Sequence, residues 1–367
     1  MTKAMILAAG QGTRVRPLTS NVPKPMVPIL GKPLLEYMIE HLARHGVCEI
    51  MMNVAYNHYK IENFFGDGRR WGVEIGYSFE GARAHGDITP RPWGSAGGMK
   101  RIQEQGHFFD ETTLVICGDA IIDLDIRAAL KEHWLKNAMA SVITLPVEPQ
   151  DVSNYGIVVA DENKLVRSFQ EKPEPSQAKS NLASTGIYIF EPEVLDLIPS
   201  NEVFDIGSQL FPMLVDQGLP FYAQNRPFNW IDIGRLTDYW TVQQRVLRGE
   251  VDGFEMPGKQ VKPGVWVGLN TRVDWQHINI TGPVYIGSNV RIDAGASIIG
   301  PSWIARGCHV RSGARVDQCI LFDYTRLAAD QHFKNKILSP QYCVDKSGET
   351  IYVGDENSSL RWGDARA

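Results

Sequence analysis

Two short stretches of this chain put a carboxylate at the end of an apolar run. Leu114-Val115-Ile116-Cys117-Gly118-Asp119 sets Asp119 just past a strand-like segment, and Asn229-Trp230-Ile231-Asp232-Ile233-Gly234 sets Asp232 in a similar place. Open α/β sheets bind their ligands at the carboxyl ends of strands. Two such aspartates can hold Mg²⁺, a hard cation that prefers carboxylate and phosphate oxygens. Taken singly, each reads first as a helix cap or turn residue.

A third stretch supplies positive charge. Leu7-Ala8-Ala9-Gly10-Gln11-Gly12-Thr13-Arg14 runs on to Arg16 and Pro17, then to Pro23-Lys24-Pro25. Glycines at the mouth of a strand let backbone N–H groups approach an oxyanion, and Arg14, Arg16 and Lys24 add fixed charge for a polyphosphate. No Gly-Lys-Ser/Thr follows, so this is not a P-loop. Pro17 and Pro23 predict an extended segment rather than the helix that a dinucleotide-binding turn opens. Lys172, in Phe169-Gln170-Glu171-Lys172-Pro173, suits a point contact to a phosphate or, equally, a solvated surface pair.

These side chains need a scaffold, and from Lys3 to about Gly249 the pattern alternates apolar strands with amphipathic helices. Strands are expected at 4–7, 50–54, 114–117, 141–145 and 185–190, with a hairpin of 156–160 and 164–169 around Asp161-Glu162-Asn163. Helices are expected from Leu34, with Leu35, Met38, Ile39 and Leu42 on one face, at 126–135, and at 236–247 before Gly249. That alternation predicts an α/β fold with a mixed sheet covered on both faces. Beyond it the rule changes. Ile280, Ile286, Ile292, Ile298, Ile304, Val310 and Val316 recur every six residues with glycines between them. Neither the helical nor the strand period gives this spacing. A left-handed parallel β-helix does, since each side of the prism points one aliphatic inward and each corner needs a turn. The organisation expected is a first domain at 1–248, a linker at 249–262, the β-helix at 263–340 and a tail at 341–367.

Composition narrows the function classes. Over 367 residues, 43% hydrophobic and 22% charged, the chain reads as globular, and two domains fit its length. A net charge of −5 argues against broad affinity for nucleic acid or anionic membrane. The five cysteines are scattered without a disulfide or metal spacing, and the N-terminal apolar run is too short for a signal core or a membrane span, so a cytoplasmic protein is expected.

Taken in order, these segments resemble the nucleotide-sugar pyrophosphorylases, or sugar-1-phosphate nucleotidyltransferases, over nearly the whole chain. The family signature LAAGxGTRLRPLT with a following KP pair stands here as LAAGQGTRVRPLT with Pro23-Lys24-Pro25. The GD, EKP and W-x-D-x-G motifs stand as Gly118-Asp119, Glu171-Lys172-Pro173 and Trp230 to Gly234. The nearest group is cyanobacterial in type; its members are labelled mannose-1-phosphate guanylyltransferases, although some make UDP-glucose. The resemblance implies a Rossmann-like nucleotidyltransferase domain followed by the β-helix, with Mg²⁺ as cofactor. Nucleotidyl transfer from a nucleoside triphosphate to a sugar 1-phosphate is the implied reaction, with UTP and glucose 1-phosphate ahead of GTP and mannose 1-phosphate.

The same resemblance implies roles. Leu7, Ala8, Ala9, Gly10, Gln11, Gly12, Thr13 and Arg14 would bind the nucleotide, with Gly118 and with Gly94, Ser95 and Gly97 of a loop beside the base. Arg14 and Lys24 would neutralise the departing pyrophosphate, and Asp119 and Asp232 would hold Mg²⁺ across the α-phosphate. Lys172 would hold the sugar phosphate, with Glu171 and Gly156 facing the sugar. Ser184 and Thr185 stand where family members carry Asn-Thr-Gly or Asn-Ala-Gly, so one sugar contact departs from the pattern. Two other classes compete. A catalytically silent regulatory subunit of the same fold is disfavoured by the presence of Arg14, Lys24, Asp119, Lys172 and Asp232. A hexapeptide acyltransferase is disfavoured by an unbroken repeat of only 37 residues, about two coils, and by His277 and His309 lacking any accompanying signature. Trp266, Trp275 and Trp303 suggest an oligomer face on the β-helix, or packing on a neighbouring domain.

Overall fold

Alternate residues of the strand Lys3–Ala8 enter two different cores. Ala4, Ile6 and Ala8 pack on one side of the sheet with Ile50, Met52, Leu114 and Ile116. Met5 packs on the other with Val115, Met99 and Phe190. A strand buried on both faces must be apolar throughout and covered by helices on each side. The helix Leu34–Arg44 covers the first face through Leu35, Met38, Ile39 and Leu42, joined there by Ile126, Ala129 and Leu130 of the helix Ile126–Leu135. The helix Ser95–Gly106 covers the second through Ala96, Met99 and Ile102.

The computed structural model describes residues 2–84, 87–251 and 254–367. Its contacts group into two units. One comprises Met1–Gln11, Asn21–Met26 and Leu34–Trp230; the other comprises Gly12–Ser20, Val27–Pro33 and Ile231–Ala367. The first unit is built on a nine-stranded mixed sheet. Lys3–Ala8 lies parallel between Glu49–Val54 and Thr113–Cys117, and Glu74–Phe79 extends this parallel part beyond Glu49–Val54. Leu182–Phe190 then joins Thr113–Cys117 antiparallel and carries Gly156–Ala160, which pairs with Val166–Glu171, and Ala140–Pro146, which pairs with Phe221–Asn225. The expected strands and the hairpin are all present. Glu74–Phe79, Phe221–Asn225 and the helices His58–Phe65 and Ser95–Gly106 were not among the expected elements. Segment 12–26 is not extended. Thr13–Val15 and Lys24–Met26 are 3₁₀ turns, with Gly12 left-handed at φ +62° where a Cβ would be strained.

In the second unit, three walls of short parallel strands stack in register. One wall places Val267 over Ile286, Ile286 over Ile304, Ile304 over Leu321 and Leu321 over Leu338. The others stack Val273, Ile292, Val310 and Leu327, and Ile280, Ile298, Val316 and Phe333. This hexapeptide β-helix has five parallel strands on its first wall, more than the unbroken period of six reveals. Tyr342–Asp345 and Trp362–Asp364, in the stretch expected as a tail, close two walls by pairing antiparallel with Lys336–Leu338 and Thr325–Leu327. Antiparallel closing strands end a stack whose last coil would otherwise offer unpaired N–H and C=O groups.

The helix Leu236–Leu247 groups with the β-helix residues. Its Tyr239 hydroxyl and Gln243 Nε2 both donate to Pro28 O, at 2.7 and 2.9 Å, and Gln244 Nε2 donates to Pro301 O at 3.3 Å. It ends at Gly249, whose φ of +70° is a left-handed helix stop. Trp303 is 1% exposed and lies edge-on to Phe322, so its ring is spent inside this unit. Cys308, Cys319 and Cys343 are buried free thiols, and burial pushes Cys319 up to about 12 and Cys343 to about 11. Among the described residues no helix is long and apolar enough to cross a membrane.

Candidate active site

The carboxyl end of Lys3–Ala8 opens onto Ala9, Gly10 and Gln11. Gly10 is exposed, and a Cβ built on it would meet nothing within 4 Å. Beside it, the Gly118 N–H donates to Leu7 O at 2.9 Å, folding the end of Thr113–Cys117 onto the first strand. A Cβ on Gly118 would come 2.9 Å from Ile6 Cγ2 and 3.1 Å from Leu7 O, so only glycine permits this approach. The turn presents Asp119, whose Oδ2 accepts from Lys24 Nζ at 2.6 Å. The Lys24 side chain is 9% exposed and that of Asp119 34%. Two residues predicted from separate motifs are thus in direct contact.

The second expected nucleotide segment is built differently. Ser95 begins a helix rather than a loop, with Gly94 before it at φ +76°. A Cβ on Gly94 would lie 2.4 Å from Phe204 O, and one on Gly97 2.8 Å from Glu202 O. The N–H groups of Ala96 and Gly97 donate to Phe204 O at 3.0 and 2.8 Å. Ser95 Oγ donates to Asp205 Oδ2 and accepts from the Ile206 N–H, each at 2.8 Å. Asp205 Oδ1 in turn caps Gly207 and Ser208. Burial raises the Asp205 carboxyl, but donors from Ser208, Ser95 and Gly207 outweigh it and hold the group below its ordinary 3.8.

The sugar-side candidates cluster on the hairpin and its neighbour. Gly156 stands opposite Glu171 in the ladder, and Phe169 fills the space a Cβ on Gly156 would take, 2.2 Å away. Lys172, at φ +45°, donates its N–H to Tyr155 O and its Nζ to Glu171 Oε1 at 2.7 Å; both side chains are exposed. Thr185 is buried and its hydroxyl donates to Ile143 O at 2.9 Å. Ser184, also buried, lies across from Thr144.

The remaining candidates belong to the second unit. Gly12 O accepts from the Val15 N–H at 3.0 Å and from the buried Thr19 hydroxyl at 2.7 Å, which fixes the turn carrying the exposed Thr13 and Arg14. Asp232 is partly exposed at the end of Trp230–Asp232, with its Oδ2 3.1 Å from the point a Cβ on Gly234 would occupy.

With this geometry set out, likeness to known proteins decides the family. The model described as nucleotidyl transferase matches residues 3–249. The chain belongs to the nucleotidyl transferase family. The bacterial transferase hexapeptide model, of six repeats, matches residues 283–318 of this nucleotidyl transferase. It is 50% identical over 360 residues to UTP–glucose-1-phosphate uridylyltransferase of Synechocystis sp., covering 98% of this chain and 92% of that one. It is 27% identical to mannose-1-phosphate guanylyltransferase of Mycobacterium tuberculosis, covering 89% and 81%. A crystal structure of a putative glucose-1-phosphate thymidylyltransferase from Bacillus anthracis, in complex with a sucrose, shares the fold at a TM-score of 0.58 and 22% identity, covering 70% of this chain and 98% of that one.

Sequence reasoning missed several residues that hold the candidate segments of this nucleotidyl transferase in place. Asp123 accepts from the Asn229 N–H at 2.6 Å and from its Nδ2 at 2.7 Å, fixing the entry to Trp230–Asp232. Trp230 packs on Tyr155 with ring centroids 5.0 Å apart. Asn53 and Glu80 lie buried behind the first strand. Asp123 carried a faint signal, since it follows the apolar run Ala120-Ile121-Ile122 as Asp119 follows its own. Asn53 and Glu80 carried none.

Proposed function

We propose that this chain transfers a uridylyl group from UTP to glucose 1-phosphate, giving UDP-glucose and pyrophosphate with Mg²⁺ as cofactor. The observation that carries the reading is the Lys24–Asp119 contact of 2.6 Å beside the open end of the first strand. It joins a phosphate-binding cation and a metal-binding anion at one point. The 50% identity to a uridylyltransferase supports the choice of substrates, and the weaker guanylyltransferase likeness keeps GTP with mannose 1-phosphate as the second pair.

In this mechanism an oxygen of the sugar phosphate attacks the α-phosphorus in line, and the bond from that phosphorus to the β-phosphate oxygen breaks. The attacking oxygen is already anionic, so no protein nucleophile is required. The protein's work is to hold two polyanions together and offset their repulsion. Backbone N–H groups around Gly10 to Gly12 hold the triphosphate. Arg14 and Lys24 neutralise the oxygens that leave as pyrophosphate, and Lys172 holds the sugar phosphate beside Glu171 and Gly156. Asp119 and Asp232 would hold the Mg²⁺, and the partly exposed Asp119 carboxylate on its glycine turn suits a hard cation that takes the rest of its shell from phosphate. When bound, Mg²⁺ supplies charge neutralisation at the α-phosphate. A grip by both aspartates requires Asp232 to reach the ion that Asp119 holds.

One panel tests the proposal. Nucleoside triphosphates are crossed with sugar 1-phosphates in the presence of Mg²⁺, and pyrophosphate release is measured. UTP with glucose 1-phosphate is expected to lead. Release led by GTP with mannose 1-phosphate would move the substrates to the second pair, and no release from any pair would favour a regulatory subunit.

A further inference from the structure

We infer that Asn53 and Glu80 form a positioning couple that holds the end of the first strand in register with the start of the helix Ser95–Gly106, and thereby sets how tightly the nucleotide binds. The inference rests on the proposed nucleotide role of the first segment and on the role that the resemblance implies for the second. They lie some eighty residues apart in the chain, and a short relay of side chains joins them. The Ala8 N–H donates to Asn53 Oδ1 at 2.8 Å. Asn53 Nδ2 donates to Glu80 Oε1 at 2.8 Å. Glu80 Oε2 accepts from the Trp93 N–H at 3.4 Å, one residue before Gly94.

The relay has one polarity. A main-chain donor at Ala8 fixes the Asn53 amide with its oxygen towards Ala8 and its NH₂ towards Glu80, so position 80 must supply an acceptor. A main-chain donor at Trp93 demands a second acceptor there, and a carboxylate supplies both. Each of the two side chains is 3% exposed. Burial raises the Glu80 carboxyl, against the hydrogen bonds from Asn53 and Trp93 and the charge of Arg101. A buried carboxyl costs stability that an apolar residue would not. Packing adds an independent sign. A Cβ on Gly98 would lie 2.5 Å from Glu80 Oε1 and 3.6 Å from Asn53 Nδ2, so the first turn of the helix sits directly on the couple. Glycine at that position admits the couple beneath the helix.

The test compares the full-length protein with Asn53→Ala, Glu80→Gln and the double variant, measuring pyrophosphate release while UTP and glucose 1-phosphate are varied in turn. Circular dichroism melting runs alongside. Glu80→Gln keeps the size of the side chain but, in either amide orientation, loses one acceptor. Each single variant is expected to raise the KM for UTP about tenfold, the scale of one buried hydrogen bond. The KM for glucose 1-phosphate is expected to stay within about twofold, because its groups lie on the other part of the sheet. The double variant is expected to be no worse than either single one, since the two residues act as one link. An unchanged KM for UTP in a folded variant would overturn the couple. So would equal rises in both KM values, which general loosening produces, or additive losses in the double variant. If Asn53→Ala does not fold, Glu80→Gln decides alone. A parent protein that releases no pyrophosphate from UTP defeats the functional reading and the couple with it; an active parent with indifferent variants defeats the couple only.

Discussion

Two glycine-bearing segments flank the proposed nucleotide site, and their glycines are there for opposite reasons. Around Gly10 an added Cβ would meet empty space, whereas at Gly94 and Gly97 it would meet the main chain of Phe204 and Glu202. The first glycine leaves room for something outside the protein. The other two are consumed by the protein itself, and the N–H of Gly97 is already donated to Phe204 O. The motif thus groups one glycine that faces open space with two whose missing side chains make room for the main chain. The difference teaches that a glycine becomes a ligand-site argument only when its missing side chain would not otherwise collide with the fold.

Substitutions can break or sharpen this contrast. The largest effect is expected on the open side, from Asp119→Asn, the carboxylate beside the strand mouth. Turnover should fall by about 10²- to 10³-fold in a variant that still folds, as for loss of one electrostatic contact to a transition state. Near-normal turnover would remove the metal role. On the closed side, Gly94→Ala should cost about 3 kcal/mol or more of stability, since a Cβ 2.4 Å from a carbonyl oxygen at positive φ forces the backbone to move. Urea titration measures it, and a stable variant would show that Gly94 is free. Gly10→Ala should keep the parent's stability within about 1 kcal/mol while raising the KM for UTP. Equal melting and equal KM would mean that nothing binds in that space.

A smaller loss of stability than at Gly94 is expected at Asp205, which fastens the closed segment through Ser95. Asp205→Ala should cost about 1–2 kcal/mol at neutral pH, as the loss of a helix-capping carboxylate does. Because the folded-state pKa lies below the ordinary 3.8, the ionised carboxylate's contribution is present above that value and is lost as the pH falls through the folded pKa. The gap in melting temperature between parent and variant should therefore narrow below about pH 3.8 and stay level above it.

Much of this was legible in the sequence where one physical rule acts alone. The apolar strand before Gly10, the helix Ile126–Leu135 and the hairpin around Asp161 follow from period and turn chemistry. The β-helix was visible wherever its coils kept a strict period of six. It was lost where partners drift, as from Val267 to Ile286 or from Val310 to Leu327, since a corner absorbs one residue more or less while the wall keeps its register. Glu74–Phe79 alternates Ile75, Tyr77 and Phe79 with Glu74, Gly76 and Ser78, a period-two signal that was overlooked. Within the site, residues that carry charge on a recognisable turn, such as Asp119 and Lys24, announced themselves. Asn53 and Glu80 lie 27 residues apart, one in a strand and one just past its neighbour, so no local pattern marks them. The hydroxyl of Thr185 shows the reverse: a motif position whose polar group is spent on Ile143 O.

The ion pair between Lys24 and Asp119 has a consequence for the order in which ligands arrive. A lone cation settling on Asp119 would leave the largely buried ammonium of Lys24 facing a second positive charge. A bare triphosphate drawn to Lys24 would press its own oxygens against the carboxylate. A ligand that brings both signs at once lets each half of the pair trade one partner for another without an interval of exposure. On the roles proposed above, the pair favours a nucleotide and cation arriving as one complex over either ingredient alone.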